Sequence, residues 1–166
     1  MGKCLLECSG NNAIIVDDSA DLDIAIPAIV FGAVGTSGQR CTTTRRLILQ
    51  DTIADHITQQ LIDTYKTIQI GDPNHTDTLM GPLINQQAVD QYKNTIETIK
   101  KQKGTILYGG HQIDRNGYFV EPTLALAEAQ WDCVQEETFA PILYIMRFNT
   151  LEEAINLSLI HISEPT

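Results

Sequence analysis

The run Ile142-Leu143-Tyr144-Ile145-Met146-Arg147-Phe148 constrains this chain more than any other stretch. It is the most continuous apolar segment, and it is short and rich in isoleucine and aromatic residues. Such a run reads as a strand buried on both faces. A strand of that kind sits in the middle of a sheet, so the chain must supply strands beside it and helices over it. Shorter runs meet the first demand: Lys3 to Glu7, Ala13 to Val16 after a turn at Ser9-Gly10-Asn11-Asn12, Arg46 to Gln50, Thr105 to Tyr108, and Tyr118 to Leu124 with Pro122 interrupting it.

Helical periodicity meets the second demand. Asp17, Asp18, Ser19 and Asp21 supply helix-start chemistry, and Leu22, Ile26, Ile29, Val30 and Ala33 then share one face. Pro27 falls early in that pattern, and the helix should end within the glycines from Gly32 to Gly38. Asp51 is read as the cap of a helix carrying Ile53, Ile57, Leu61, Tyr65 and Ile68. Val89, Tyr92, Ile96 and Ile99 mark another, and a last helix starts at Leu151. Strands alternating with helices predict an α/β architecture, a mostly parallel sheet flanked by helices.

Charge and cysteine usage narrow the function classes. The net charge of −10 argues against a nucleic-acid surface, and Lys100, Lys101 and Lys103 read as a solvated helix end. No apolar run approaches the roughly 20 residues a bilayer requires, and the start lacks the pattern of a secretory signal. Neither nucleic acid nor a membrane is therefore expected as a partner. Cys4, Cys8, Cys41 and Cys133 form no disulfide framework and read as reduced thiols, which places the protein in the cytoplasm or mitochondrial matrix, not outside the cell. His56, His75, His111 and His161 are far apart, and metal binding is disfavoured.

One cysteine has suggestive surroundings. Cys41 follows Gly35, Gly38 and Arg40 within a run of small hydroxyl residues. Arg40, and a helix N-terminus expected just downstream, would favour thiolate over thiol. The glycines would let the backbone approach whatever the sulfur attacks. Their spacing matches neither a dinucleotide fingerprint nor a P-loop. Two acidic positions also stand out. Glu7 reads either as a solvated turn carboxylate or as a partly buried general base near a thiol. Glu137, in Glu136-Glu137-Thr138-Phe139-Ala140-Pro141, reads either as surface or as a carboxylate able to clasp a ribose beside an aromatic ring. Spacing alone leaves both open.

Three segments resemble the aldehyde dehydrogenase superfamily: Leu6-Glu7-Cys8-Ser9-Gly10-Asn11-Asn12, Gly38-Gln39-Arg40-Cys41 and Glu136-Glu137-Thr138-Phe139-Ala140-Pro141. They stand in the family's order, with Cys41 34 residues after Glu7. The wording around Cys41, with Thr138 to Leu143, is most similar to the antiquitin branch, the aminoadipate-semialdehyde dehydrogenases of lysine catabolism. Ile70-Gly71-Asp72-Pro73, Met80-Gly81-Pro82-Leu83 and Tyr108-Gly109-Gly110 extend the resemblance to about residue 157. It departs from the family at Cys8-Ser9, where many members carry Leu-Gly, and in Leu159-Ile160-His161-Ile162.

The resemblance implies an oxidoreductase that takes an aldehyde to a carboxylic acid with NAD. Cys41 would be the nucleophile, passing through a thiohemiacetal and a thioester, and Glu7 the base that activates water. Glu137 would hold the nicotinamide ribose and Phe139 the nicotinamide. Arg40 would bind the carboxylate of a semialdehyde acid. It also implies an internal fragment: residues 1–9 ending a cofactor-binding domain, 10–157 opening the catalytic domain, and 158–166 an unassigned, non-native tail. The chain alone would then be inactive, and its full-length parent a homo-oligomer, tetrameric in the family. The rival readings are another semialdehyde or acylating dehydrogenase, and a non-catalytic truncated module.

Overall fold

The computed structural model describes residues 3–5 and 10–158. Among them, five strands form one sheet: β1 (Asn12–Val16), β2 (Thr44–Gln50), β3 (Thr105–Tyr108), β4 (Thr123–Leu126) and β5 (Ile142–Phe148), in the order β1-β2-β5-β4-β3. The β1–β2, β2–β5 and β4–β5 pairings are parallel, and β3 runs antiparallel to β4. β5 is the middle strand, as its apolar run requires.

Side-chain alternation along β5 explains the layers. Leu143 and Ile145 point to one face, where they meet Leu47, Leu49 and Leu124 under helices α1 (Leu22–Val34) and α2 (Asp51–Thr67). Ile142, Tyr144 and Met146 point to the other, against α3 (Gln86–Lys101) through Val89, Tyr92, Ile96 and Ile99. Ile48 and Phe148 on that second face pack with Ala154 of α5 (Leu151–Ser158). A short α4 (Asp132–Gln135), absent from the periodicity, lies between β4 and β5.

The helix boundaries follow local chemistry. Asp21 caps α1 by accepting from the Asp23 amide at 3.0 Å, and Asn85 caps α3 by accepting from Ala88 at 2.9 Å. Four expectations need correction. Lys3–Leu5 are irregular and exposed, with Leu5 83% accessible, so no buried strand begins there; the remainder of that predicted strand, Leu6 and Glu7, lies outside the described residues. The last regular strand before β5 starts at Thr123, because Pro122 cannot donate to the ladder. Asp51 is the first residue of α2 and not its cap; its carboxylate instead accepts from Arg147 at 3.1 Å. Finally, Cys41 precedes β2, not a helix, so no helix N-terminus lies just after it.

β2 opens with two buried arginines. Arg46 donates to the carbonyls of Asn11 (2.8 Å), Leu157 (2.8 Å) and Ser158 (2.9 Å), closing the C-terminus of α5 against the entry to β1. A guanidinium with its fixed fork of donors suits three converging carbonyls. Arg45, the next buried charge, organises the site.

Candidate active site

The chain leaves α1 through a 3-10 turn, Gly35–Gly38, in which Thr36 (φ 52°), Ser37 (φ 56°) and Gly38 (φ 71°) are all left-handed. Two of these are not glycine, and such backbone costs roughly 1–2 kcal/mol per residue. Contacts from another segment hold it. Ser37 Oγ donates to Gly81 O at 2.7 Å, and Gln39 Oε1 accepts from the Ile84 amide at 2.9 Å. The Met80-Gly81-Pro82-Leu83 motif thus has a local use: it braces the turn that delivers Cys41.

Cys41 itself lies on a tight turn closed by the Thr43 amide donating to Arg40 O at 3.1 Å. Its side chain is exposed. Asn12, at the head of β1, donates through Nδ2 to Cys41 O (2.6 Å) and Thr43 O (3.3 Å). Asn11 reaches the opposite way, donating to Val134 O (2.7 Å) and Glu136 O (3.1 Å). This asparagine pair ties the Cys41 turn and the approach to Glu137 to one point on β1.

Arg45 completes the junction. It is 1% accessible, and its Nη2 donates to Arg40 O at 2.9 Å and its Nε to Thr138 O at 3.0 Å. Its Nη1 pairs with Glu137 Oε1 at 3.1 Å, and its guanidinium lies 4.8 Å from the centre of the Phe139 ring. Burial pulls the Arg45 pKa below the usual arginine value, opposed by the nearby Glu137, Cys41 and Tyr144. Of the predicted site residues, Cys41, Glu137 and Phe139 therefore gather around one guanidinium. Glu7 lies outside the described residues.

Arg40 turns back under α1. Its Nη2 donates to Phe31 O at 3.2 Å and its guanidinium stacks 5.1 Å from the Phe31 ring centre. The buried Nε has no partner among the described residues. Phe139, 39% accessible, lines a cleft of about 490 Å³ with Thr36, Gln39, Ile84, Asn85 and Ala88. That cleft, together with Arg45, Asn11 and Asn12, was missed in the sequence; two adjacent arginines entering an apolar strand were the available signal.

The second described thiol near this region behaves differently. Cys133 is buried, donates to Gln102 Oε1 at 3.1 Å, and has its pKa pushed up by burial. At neutral pH, iodoacetamide should therefore modify Cys41 about 10-fold or more faster than Cys133, as read by peptide mass spectrometry, because only thiolate attacks.

Comparison with known proteins identifies the family and the fold. A family model described as the aldehyde dehydrogenase family matches residues 1–158. This chain belongs to that family. It is 50% identical over 157 residues to aldehyde dehydrogenase family 7 member A1 of Pisum sativum, covering 95% of this chain and 31% of the relative. It is 46% identical over 153 residues to the alpha-aminoadipic semialdehyde dehydrogenase of Mus musculus, covering 92% and 28% respectively. Among solved structures, betaine aldehyde dehydrogenase from Staphylococcus aureus in complex with NAD+ superposes with a TM-score of 0.89 at 34% identity, covering 92% of this chain and 31% of that one. The chain thus spans about a third of the length of the family members it matches. The shared fold is the mostly parallel, helix-flanked sheet of that family's catalytic domain. No helix among the described residues is long and apolar enough to cross a membrane.

Proposed function

We propose that this chain is the nucleophile-bearing segment of a longer NAD-dependent aldehyde dehydrogenase of the antiquitin type. Residues 10–157 open its catalytic domain, and 1–9 end the cofactor-binding domain. The observation that carries the reading is the convergence of the exposed Cys41 turn, Glu137 and Phe139 on Arg45. The family's NAD-complexed structures and the aminoadipic semialdehyde dehydrogenase relatives support it.

The residues present fit the nicotinamide end of NAD+. Phe139 offers a partly exposed ring beside an open cleft, and Glu137 offers a carboxylate whose pairing with Arg45 leaves acceptor sites for ribose hydroxyls. In the reaction, the Cys41 thiolate attacks the carbonyl carbon, forming a C–S bond as the C=O π pair moves onto oxygen; the return of that pair expels the hydride. When bound, NAD+ supplies the acceptor for the hydride that leaves this carbon. The acyl group is then a thioester on Cys41. Glu7 takes a proton from water, whose oxygen attacks that carbon, and the thiolate leaves with the acid released. Arg40, a half-buried cation next in sequence to Cys41, favours a substrate bearing its own carboxylate.

The test uses the full-length protein with NAD+ and a panel of aldehydes with and without a distal carboxylate. NADH formation with preference for carboxylate-bearing aldehydes is expected; none with any aldehyde would reject the reading. Arg40→Ala should raise KM for the carboxylate-bearing aldehydes by about 10- to 100-fold, the worth of one or two hydrogen bonds to a charged group, and leave KM for neutral ones within about threefold. Equal losses on both classes would assign Arg40 to the support of α1 alone.

A further inference from the structure

We infer that Arg45 is a positioning residue for the reaction: it sets the distance between the nucleophile and the segment that receives the nicotinamide. This rests on the proposed function and goes beyond it, because Arg45 touches neither substrate nor cofactor in that scheme. Three features separate it from an ordinary buried ion pair. Its partners lie on two segments that nothing in the local sequence joins, the Cys41 turn (Arg40 O, 2.9 Å) and the strand approach (Thr138 O, 3.0 Å; Glu137 Oε1, 3.1 Å). Its donors spread over separate nitrogens, so the planar fork fixes a direction as well as a distance, which an ammonium cannot do. Its flat face also lies against Phe139, 4.8 Å from the ring centre, so the orientation of that ring depends on it.

Asn12 holds the same turn from the other side through Cys41 O. With Arg45 altered, the nucleophile therefore keeps its turn, and what changes is its register against residues 137–139. Hydride loss from the thiohemiacetal needs that register; attack by the sulfur on a small electrophile does not. The two reactions should separate.

The experiment compares, in the full-length protein, kcat for NADH formation and the rate of Cys41 alkylation by iodoacetamide. Arg45→Lys keeps the charge and loses the fork. It should lower kcat about 100-fold, the cost of a misplacement of roughly 1 Å, while alkylation stays within about threefold. A kcat within threefold of the parent, or a parallel fall in both rates, overturns the inference. Because a buried arginine also supports folding, a second comparison removes the stranded charge: Glu137→Met against Glu137→Met with Arg45→Met. Apolar replacement of both partners is tolerated by folds that reject loss of one. A further loss of kcat of about 10-fold or more in the double variant is expected, since Arg45 also holds Thr138 and Arg40. No further loss overturns the inference. If the parent forms no Cys41-dependent NADH, the functional reading fails and this inference with it; if the parent does so and Arg45→Lys is unaffected, the inference alone fails.

Discussion

Cys41→Ala in the full-length protein should lower kcat for aldehyde oxidation by about 10⁴-fold or more, the scale on which removal of a covalent nucleophile is felt. The expectation is chemical, not structural. The Cys41 side chain is exposed, and the bonds that hold its turn use backbone atoms: Cys41 O accepts from Asn12, Arg40 O from Arg45 and from the Thr43 amide. Alanine keeps every one of these. The thermal midpoint should therefore stay close to the parent's, as for exposed substitutions worth within about 0.5 kcal/mol. In the proposed reaction, no acyl group would be held without the sulfur while water is activated, and Glu7 would have nothing to act on. Cys4→Ala, at another exposed thiol that takes part in none of these bonds, serves as the control and should retain parent activity. NADH formation within 10-fold of the parent in Cys41→Ala would assign the nucleophile to another residue.

The parts of the fold legible in the sequence are those whose cause is local. β5 announces itself because a strand covered on both faces cannot carry polar residues at alternate positions. The helices α2 and α3 repeat their apolar residues every three or four positions, and Ile57, Leu61, Val89 and Tyr92 are indeed buried. The site is less legible because its organising bonds are not local. Arg45 and Arg46 sit at the polar end of an apolar run and read as its boundary, yet both are fully buried. Their partners come from residues 10, 11, 40, 43, 137, 138, 157 and 158, and no spacing along the chain collects those. Thr36 and Ser37 likewise gave no sign of a left-handed path, since residues with a Cβ seldom adopt one. The expected helix after Cys41 failed for a related reason. Asn12 of β1 pairs with Thr44, and β5 pairs with β2 from Arg46 onward, so the segment after Cys41 enters the sheet instead.

Gly38→Ala should be the most damaging small substitution in the site, because it acts on stability and geometry together. Gly38 has φ 71°, and a Cβ there would run into the carbonyl of Ala140 and lie 2.6 Å from Pro141 N. Those atoms are backbone, so no side chain can turn aside. Either the Gly35–Gly38 turn or the Ala140–Pro141 segment must retreat. Overpacking against rigid backbone, added to a left-handed alanine, should cost about 3–5 kcal/mol, read as a lowered unfolding midpoint. The same retreat separates Cys41, three residues beyond Gly38, from Phe139, next to Ala140, and the folded fraction should lose about 100-fold in kcat. Gly35→Ala makes the informative comparison. Its φ is −51°, so the backbone tolerates alanine, and the group in the way is the end of the Arg40 guanidinium, with Cζ 3.4 Å from the added carbon. A side chain can move. Gly35→Ala should therefore leave the unfolding midpoint nearer the parent's and act instead on KM for carboxylate-bearing aldehydes, as expected of Arg40→Ala. Equal destabilisation by the two alanines would mean that the contact between Gly38 and Ala140 is not what holds the two segments together.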